Sequence, residues 1–224
     1  MEPWERALIR STWQEHDFGL AAMVMLYTGF RRGEMLHLNI DRDVDFEKKT
    51  IAVRGAVSFS EGNRPKLTKG KTASAIRTVP LLPPLEEALK GRHGLVCHKE
   101  NGGIMSQSAF ACKYESYITF LETKLNGIHK RWYGKTNEQK QLLAEGKLPP
   151  WKEINIRCHD FRVEFCTRAY YAQVPLKTLQ SWMGHADADM ILAIYTKLDK
   201  EQERTDAAKM VNYLTRLEVD SAAE

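Results

Sequence analysis

The chain has 224 residues, of which 43% are hydrophobic, so it can form one sizeable core and is too apolar for a disordered protein. No apolar run reaches the roughly 18–20 residues that span a bilayer, and the N-terminus lacks the basic and then apolar layout of a signal peptide. These features predict a cytoplasmic protein with no membrane contact.

The net charge of +4 is unevenly distributed along the chain. Residues 201–224 hold six acidic and three basic residues, a net charge of −3, which leaves +7 on residues 1–200. A basic body of this kind favours a polyanionic partner such as DNA.

The four cysteines are widely spaced and form no CxxC pair; they are Cys97, Cys112, Cys158 and Cys166. No Cys/His cluster has the spacing of zinc ligands, so the sequence predicts reduced structural thiols. Nothing in it requires a metal or another cofactor.

Helical patterns dominate the first forty residues. A short helix is predicted over 4–15, and Asp17 is placed to cap a second helix with the apolar run LAAMVMLY. A third helical pattern follows Gly29, and Arg31 at its start shares a face with apolar residues, which predicts an inward arginine. Glu34, three residues later, either orients Arg31 or forms an ordinary surface pair with it.

From residue 44 the pattern changes to strands. VDFEKKTIAV (44–53), AVSF (56–59) and IRTVPL (76–81) predict a small antiparallel sheet. The polar stretch EGNRPKLTKGKTASA (61–75) between the last two predicts a hairpin-like loop that presents lysines.

Two further helices are predicted over 84–90 and 106–124, followed by a basic and aromatic segment over 124–151. Within this segment, Lys130 and Arg131 precede Trp132 and Tyr133. Basic residues interleaved with aromatic ones suit contact with a phosphate backbone, so Lys130 and Arg131 are candidate DNA contacts. The alternative is a solvated excursion between helices.

The stretch from His159 to Tyr195 concentrates the unusual residues. Phe161, Phe165, Ala169 and Ala172 form one apolar arc of a helix, and Arg162 falls inside it. A buried guanidinium needs an anion. Either an Asp or Glu pairs with Arg162, or Arg31 and Arg162 share one bound anion.

Five short motifs in this chain resemble the catalytic domain of tyrosine recombinases, the phage-integrase family. In order, they are TGFRRGE (28–34), a lysine before RTVPL (77–81), HDFR (159–162), WMGH (182–185) and a tyrosine ten residues later. The resemblance covers about residues 20–198 and implies an α+β fold, mainly helical with a small antiparallel sheet. It also implies a site-specific DNA recombinase of the integrase or transposase type.

The resemblance assigns the strand-breaking step to Tyr195. Its phenolic oxygen would attack phosphorus to give a covalent 3′-phosphotyrosine, without a metal. Arg31 and Arg162 would clamp the non-bridging oxygens of the phosphate, with Glu34 in a supporting role. From the residues by themselves a core tyrosine is the alternative, because Tyr195 shares a helix face with Ile191.

The remaining roles concern proton transfer. The resemblance places the general acid at Lys71, with Lys69 as competitor and possible DNA contact. One of His159 and His185 would remove the tyrosine proton, and the other would donate a hydrogen bond to a non-bridging oxygen. Which histidine has which role stays open. The chain departs from the family pattern at Val163, where a histidine is usual.

Two segments are expected: a catalytic domain over residues 1–200, with no N-terminal core-binding domain, and a C-terminal helix or tail over 201–224. This tail either docks on its own domain or, as the resemblance favours, is exchanged between protomers. The expected partner is double-stranded DNA, bound by a homotetramer on synapsed sites, with a monomer for the isolated chain. The host of a bacterial or phage mobile element is the expected setting. Two alternatives remain: an inactive DNA-binding module of the same fold, and a type IB-like topoisomerase.

Overall fold

A computed structural model describes residues 1–59, 62–69, 76–184 and 188–196, with four more positions, 203, 207, 210 and 211, towards the C-terminus. At its centre lies helix α2 (Gly19–Thr28), in which nearly every residue is buried. The sequence GLAAMVMLYT is apolar on all sides, and a helix of that composition is stable only when other elements surround it. None of the described helices is long and apolar enough to cross a membrane.

The other helices surround α2. On the N-terminal side of the chain they are α1 (Pro3–Thr12), α3 (Arg32–His37) and α4 (Ile40–Asp43), with a 3-10 turn at Trp13–Glu15. Further along are α5 (Pro83–Leu89), α6 (Gln107–Asn126), α7 (Asn137–Ala144), α8 (Cys158–Tyr171), α9 (Leu176–Met183) and α10 (Ala188–Thr196). The helices predicted over 84–90 and 106–124 are confirmed with nearly the same bounds.

The strands form two small antiparallel sheets. One has the order β1 (Val44–Asp45), β2 (Thr50–Val53) and β5 (Arg77–Pro80), and the other pairs β3 (Gly55–Ser58) with β4 (Lys66–Lys69). The expected class, mainly helical with a small antiparallel sheet, is confirmed. The prediction of a loop over 66–69 is wrong: this polar segment has no apolar alternation, and it is a strand because it pairs with β3.

Asp17 does not cap α2, contrary to the sequence prediction. The N-cap residue is Phe18, whose backbone N–H donates to His16 Nδ1 at 3.1 Å. Asp17 forms an ion pair with Lys113 of α6 instead, with a 2.5 Å separation. The helix begins one residue later than predicted, so Asp17 precedes the N-cap position instead of occupying it.

Packing brings the two ends of the described chain together. Helix α8 packs along α2, and its Phe161 joins the main core. A second apolar cluster, which includes Phe165, Leu179, Met183 and Ile191, joins α8 to α9 and α10. The start of α3 therefore lies near α8 and the end of α9.

Candidate active site

A cavity of about 380 Å³ opens where the starts of α3 and α8 meet. It is lined by Arg31, Arg32, Arg157, Cys158, His159 and Arg162. Three of the residues predicted to act together, Arg31, His159 and Arg162, are therefore brought to one place from distant parts of the sequence. Guanidinium and imidazole groups around a cavity, with the N-terminus of α8, suit an anionic ligand.

Arg162 forms the floor of the site, and its side chain is 1% exposed. Its Nη1 donates to the carbonyl of Gly29 at 2.5 Å, and its Nη2 donates to the carbonyl of Met183 at 2.5 Å. The prediction of an inward arginine is confirmed. Ala172, which was placed on the same arc, is exposed because α8 ends at Tyr171.

The Gly29 carbonyl is available because the chain turns sharply there. Gly29 ends α2 in the left-handed region, with φ +65°. A Cβ at this position would lie 2.8 Å from Phe165 Cδ1 and 3.0 Å from Met183 Sδ. Glycine is thus required for both the backbone angle and the close approach of α8 and α9.

Arg31 points towards solvent more than predicted, with a side chain that is 44% exposed. It precedes α3 as the N-cap residue, with φ −67° and ψ 154°, so the helical projection that placed it among apolar residues does not apply to it. Its backbone N–H donates to Glu34 Oε2 at 2.9 Å, and its Nη1 donates to Oε1 at 3.4 Å. Glu34 therefore contacts Arg31, and its role in orienting that side chain stays a prediction.

The main partner of Glu34 is Arg77 of β5, which the sequence interpretation missed. Arg77 Nη1 and Nη2 donate to the two carboxylate oxygens at 2.9 and 2.8 Å, and both side chains are less than a tenth exposed. Its Nε donates to the carbonyl of Trp182 at 2.5 Å. Burial raises the pKa of Glu34, but the hydrogen bonds and charge of Arg77 outweigh it, so the pKa lies below its usual value.

A signal for Arg77 was present in the sequence. Alternation along β5 places Arg77 on the same face as buried Val79. A charged residue on a buried strand face needs a partner, which is the argument that identified Arg162.

His159 lies in the first turn of α8 and is exposed. Asp160 fixes this turn: its Oδ2 accepts the backbone N–H of Arg157 at 2.8 Å, and its Oδ1 accepts Arg157 Nη2 at 3.1 Å. Beside them, burial raises the pKa of the Cys158 thiol to about 11. The cysteine therefore stays protonated and lines the cavity as a neutral group.

Several predicted site residues lie outside the described part of the chain. These are Lys71 and His185 entirely, and Lys69 and Tyr195 as far as their side chains are concerned. The backbone of Tyr195 belongs to α10, one turn after buried Ile191. Among the described residues, no three His, Cys, Asp or Glu side chains are grouped as metal ligands.

The basic and aromatic segment after α6 contributes none of the residues that line the cavity. Lys130 pairs with Glu153 at 3.1 Å and lies over the Trp151 ring at 5.9 Å, and the Arg131 guanidinium lies 4.9 Å from the Trp132 ring centroid. Both basic side chains are exposed, so they remain available to a large ligand.

Comparisons with known proteins identify the family of the chain. Residues 14–202 match the Phage integrase family. The chain is 27% identical over 221 residues to a tyrosine recombinase XerC-like protein of Caldanaerobacter subterraneus subsp. tengcongensis, covering 92% of this chain and 52% of that protein. It is 29% identical over 173 residues to the prophage integrase IntR of Escherichia coli K12, covering 76% of this chain and 40% of the relative.

A solved structure shares the fold. The Tn1549 transposon integrase, solved in complex with a circular intermediate DNA, superposes with a TM-score of 0.66 at 23% identity, covering 94% of this chain and 65% of that chain. The chain spans about half or less of the length of the two relatives named above. Since the family match extends over most of its residues and the fold agrees, the chain belongs to the phage integrase family.

Proposed function

We propose that this chain is the catalytic part of a site-specific DNA recombinase, which cleaves and rejoins DNA strands through a covalent 3′-phosphotyrosine at Tyr195. The observation that carries the proposal is the shared cavity of Arg31, His159 and Arg162, from two motifs far apart in sequence. A phosphodiester carries its charge on two non-bridging oxygens, which paired arginines bind well.

The two arginines suit the stabilisation of a transition state because both are held in place before the ligand arrives. Arg162 is fixed by two backbone carbonyls, and Arg31 by Glu34, which Arg77 holds in turn. Donors that are already oriented need no rearrangement when charge develops on the phosphate oxygens. The carbonyl contacts of Arg162 use two of its five N–H donors.

In the proposed reaction, the Tyr195 oxygen bonds to phosphorus while the bond to the 5′-oxygen breaks. His159, at the positive end of α8, or His185 takes the phenolic proton, and the other donates to a non-bridging oxygen. Lys71 gives a proton to the leaving 5′-oxygen. Reversal with the 5′-hydroxyl of another strand rejoins the DNA and frees Tyr195.

The surrounding duplex would contact basic residues beyond the cavity. We expect Lys130 and Arg131 to reach backbone phosphates, together with Lys69. Because the substrate is DNA, the protein would act in the host cytoplasm.

We also expect a catalytic domain over residues 1–200 and a tail over 201–224, most of which lies outside the described residues. The tail would be exchanged between four protomers on two synapsed duplexes, whereas the isolated chain would be a monomer. Light scattering of the chain, free and mixed with two duplex sites, would measure both states.

The deciding experiment uses a duplex core site with a nick close to the cleavage position, so that the short product diffuses away and the covalent complex accumulates. A denaturation-resistant protein–DNA band is expected in EDTA for the wild type. It should disappear in Tyr195→Phe and persist in Tyr171→Phe, a matched control at an exposed tyrosine at the end of α8.

The alternatives give different results in this assay or in a plasmid-relaxation assay. An adduct that survives Tyr195→Phe would refute the assigned nucleophile. DNA binding without any adduct would indicate an inactive module, and relaxation of a plasmid that lacks a core site would indicate a topoisomerase.

A further inference from the structure

We propose that Arg32 forms a second phosphate-binding position, beside the one for the cleaved phosphodiester, and holds a neighbouring phosphate of the DNA backbone. The inference rests on the proposed function, since it takes DNA as the ligand. Arg32 is the first residue of α3 and lines the same cavity as Arg31, His159 and Arg162.

Two aromatic rings hold the Arg32 side chain. Its Cζ lies 5.2 Å from the ring centroid of Phe59, which follows β3, and 5.6 Å from that of Phe110 in α6. An exposed arginine normally samples many rotamers, and contact with two rings restricts them. The charge is therefore positioned before any ligand binds.

Nearby carboxylates already have other partners. Glu34 accepts both Nη groups of Arg77, and Asp160 accepts the guanidinium of Arg157. Within the described ranges, Arg32 forms no ion pair or side-chain hydrogen bond. A fixed cation without an internal anion is suited to an external one.

The charge around the cavity exceeds what one phosphodiester neutralises. Four arginines line it, and of these Arg157 is already paired with Asp160, whereas each phosphodiester carries a single negative charge, with phosphates about 3.4 Å apart in rise along a strand. Arg32 also lies near the start of α8, where its charge acts on the Cys158 thiol. A strand held at Arg31 and Arg162 would thus bring its next phosphate towards Arg32.

The first test is the salt dependence of duplex binding, measured in the Tyr195→Phe background so that no covalent complex forms. Loss of one phosphate contact lowers the slope of log K against log [salt] by about 0.9. We expect this decrease for Arg32→Gln, with several-fold weaker binding, and a wild-type slope for Arg32→Lys. Arg92→Gln is the matched control, because Arg92 lies 5.3 Å from the Trp13 ring, away from the cavity, and should change neither value.

The second test replaces single phosphates beside the cleaved position with uncharged methylphosphonates. Methylphosphonate at one of these positions should weaken DNA binding by the protein that keeps Arg32, and should not change DNA binding by Arg32→Gln. Equal salt slopes and equal methylphosphonate profiles for both proteins would overturn the inference. The proposed function would still stand in that case if the wild type forms the Tyr195 adduct in the nicked-duplex assay. No duplex binding by the wild type would overturn both.

Discussion

The buried pair of Glu34 and Arg77 offers the most direct test of how the site is held together. In Arg77→Met, Glu34 would keep the Arg31 backbone N–H but lose both guanidinium hydrogen bonds, and the Trp182 carbonyl would lose its donor. Removing one partner of a buried ion pair costs about 3–5 kcal/mol. Because the total stability of a domain is about 5–15 kcal/mol, the variant should fold but be severely weakened.

Urea unfolding measures this loss. With a slope of about 3 kcal/mol per molar urea, the midpoint should fall by about 1–1.7 M. The matched control is Arg157→Met, which removes an ion pair from an arginine side chain that is 78% exposed and should leave the midpoint nearly unchanged. Equal midpoints for the two variants would refute the argument that the Glu34–Arg77 pair holds the site together.

The pH dependence gives a second, independent result. In the wild type the pKa of Glu34 is lowered, so its contribution to stability is present above its ordinary pKa of 4.5 and is lost as pH falls below that value. In Arg77→Met the hydrogen bonds and charge of Arg77 no longer lower the pKa of Glu34, so its pKa should lie above that in the wild type and the variant should keep less of this contribution to stability. The difference between the two proteins should therefore shrink as pH falls, and a constant difference would contradict this account.

Two further predictions concern backbone shape and thiol reactivity. Gly29→Ala should lower the melting temperature, because a φ of +65° is strained for alanine and the new Cβ would lie 2.8 Å from Phe165 Cδ1. Gly91→Ala is the control: it has the same kind of strain, with φ +72°, but open space around the new Cβ, so its melting temperature should fall less. At about pH 8, iodoacetamide should label the exposed Cys112 rapidly and Cys158 slowly, because burial raises the pKa of Cys158 to about 11. Mass spectrometry measures both labelling rates, and equal rates would contradict this prediction.

Patterns local in sequence predicted the elements well. The apolar run of α2, the proline-initiated α5 and the stripe of α6 appear where they were expected. Local patterns failed for β4, where the segment KLTK has no apolar alternation and depends on pairing with β3. Strand formation there is decided by a neighbour, which a single segment does not encode.

At the site, the sequence identified which side chains are unusual but not what holds them. Arg162 was recognised because it lies on an apolar helix face, yet its acceptors are carbonyls of Gly29 and Met183, and backbone groups carry no signal in residue identity. For Arg31, a shift of one residue in the helix start changed an inward side chain to an exposed one. The catalytic roles of all six residues stay predictions; they are Arg31, Lys71, His159, Arg162, His185 and Tyr195.

The carbonyl contacts of Arg162 also bear on synthesis of the protein. Gly29 emerges from the ribosome long before Arg162 and Met183, so the cavity cannot assemble until α8 and α9 have been translated. A nascent or prematurely ended chain that lacks α8 would leave the apolar surface of α2 uncovered and would have neither the arginine nor its second acceptor. We expect such a chain to be recognised by chaperones and proteases, and the proposed strand cleavage would require α8 to have been translated.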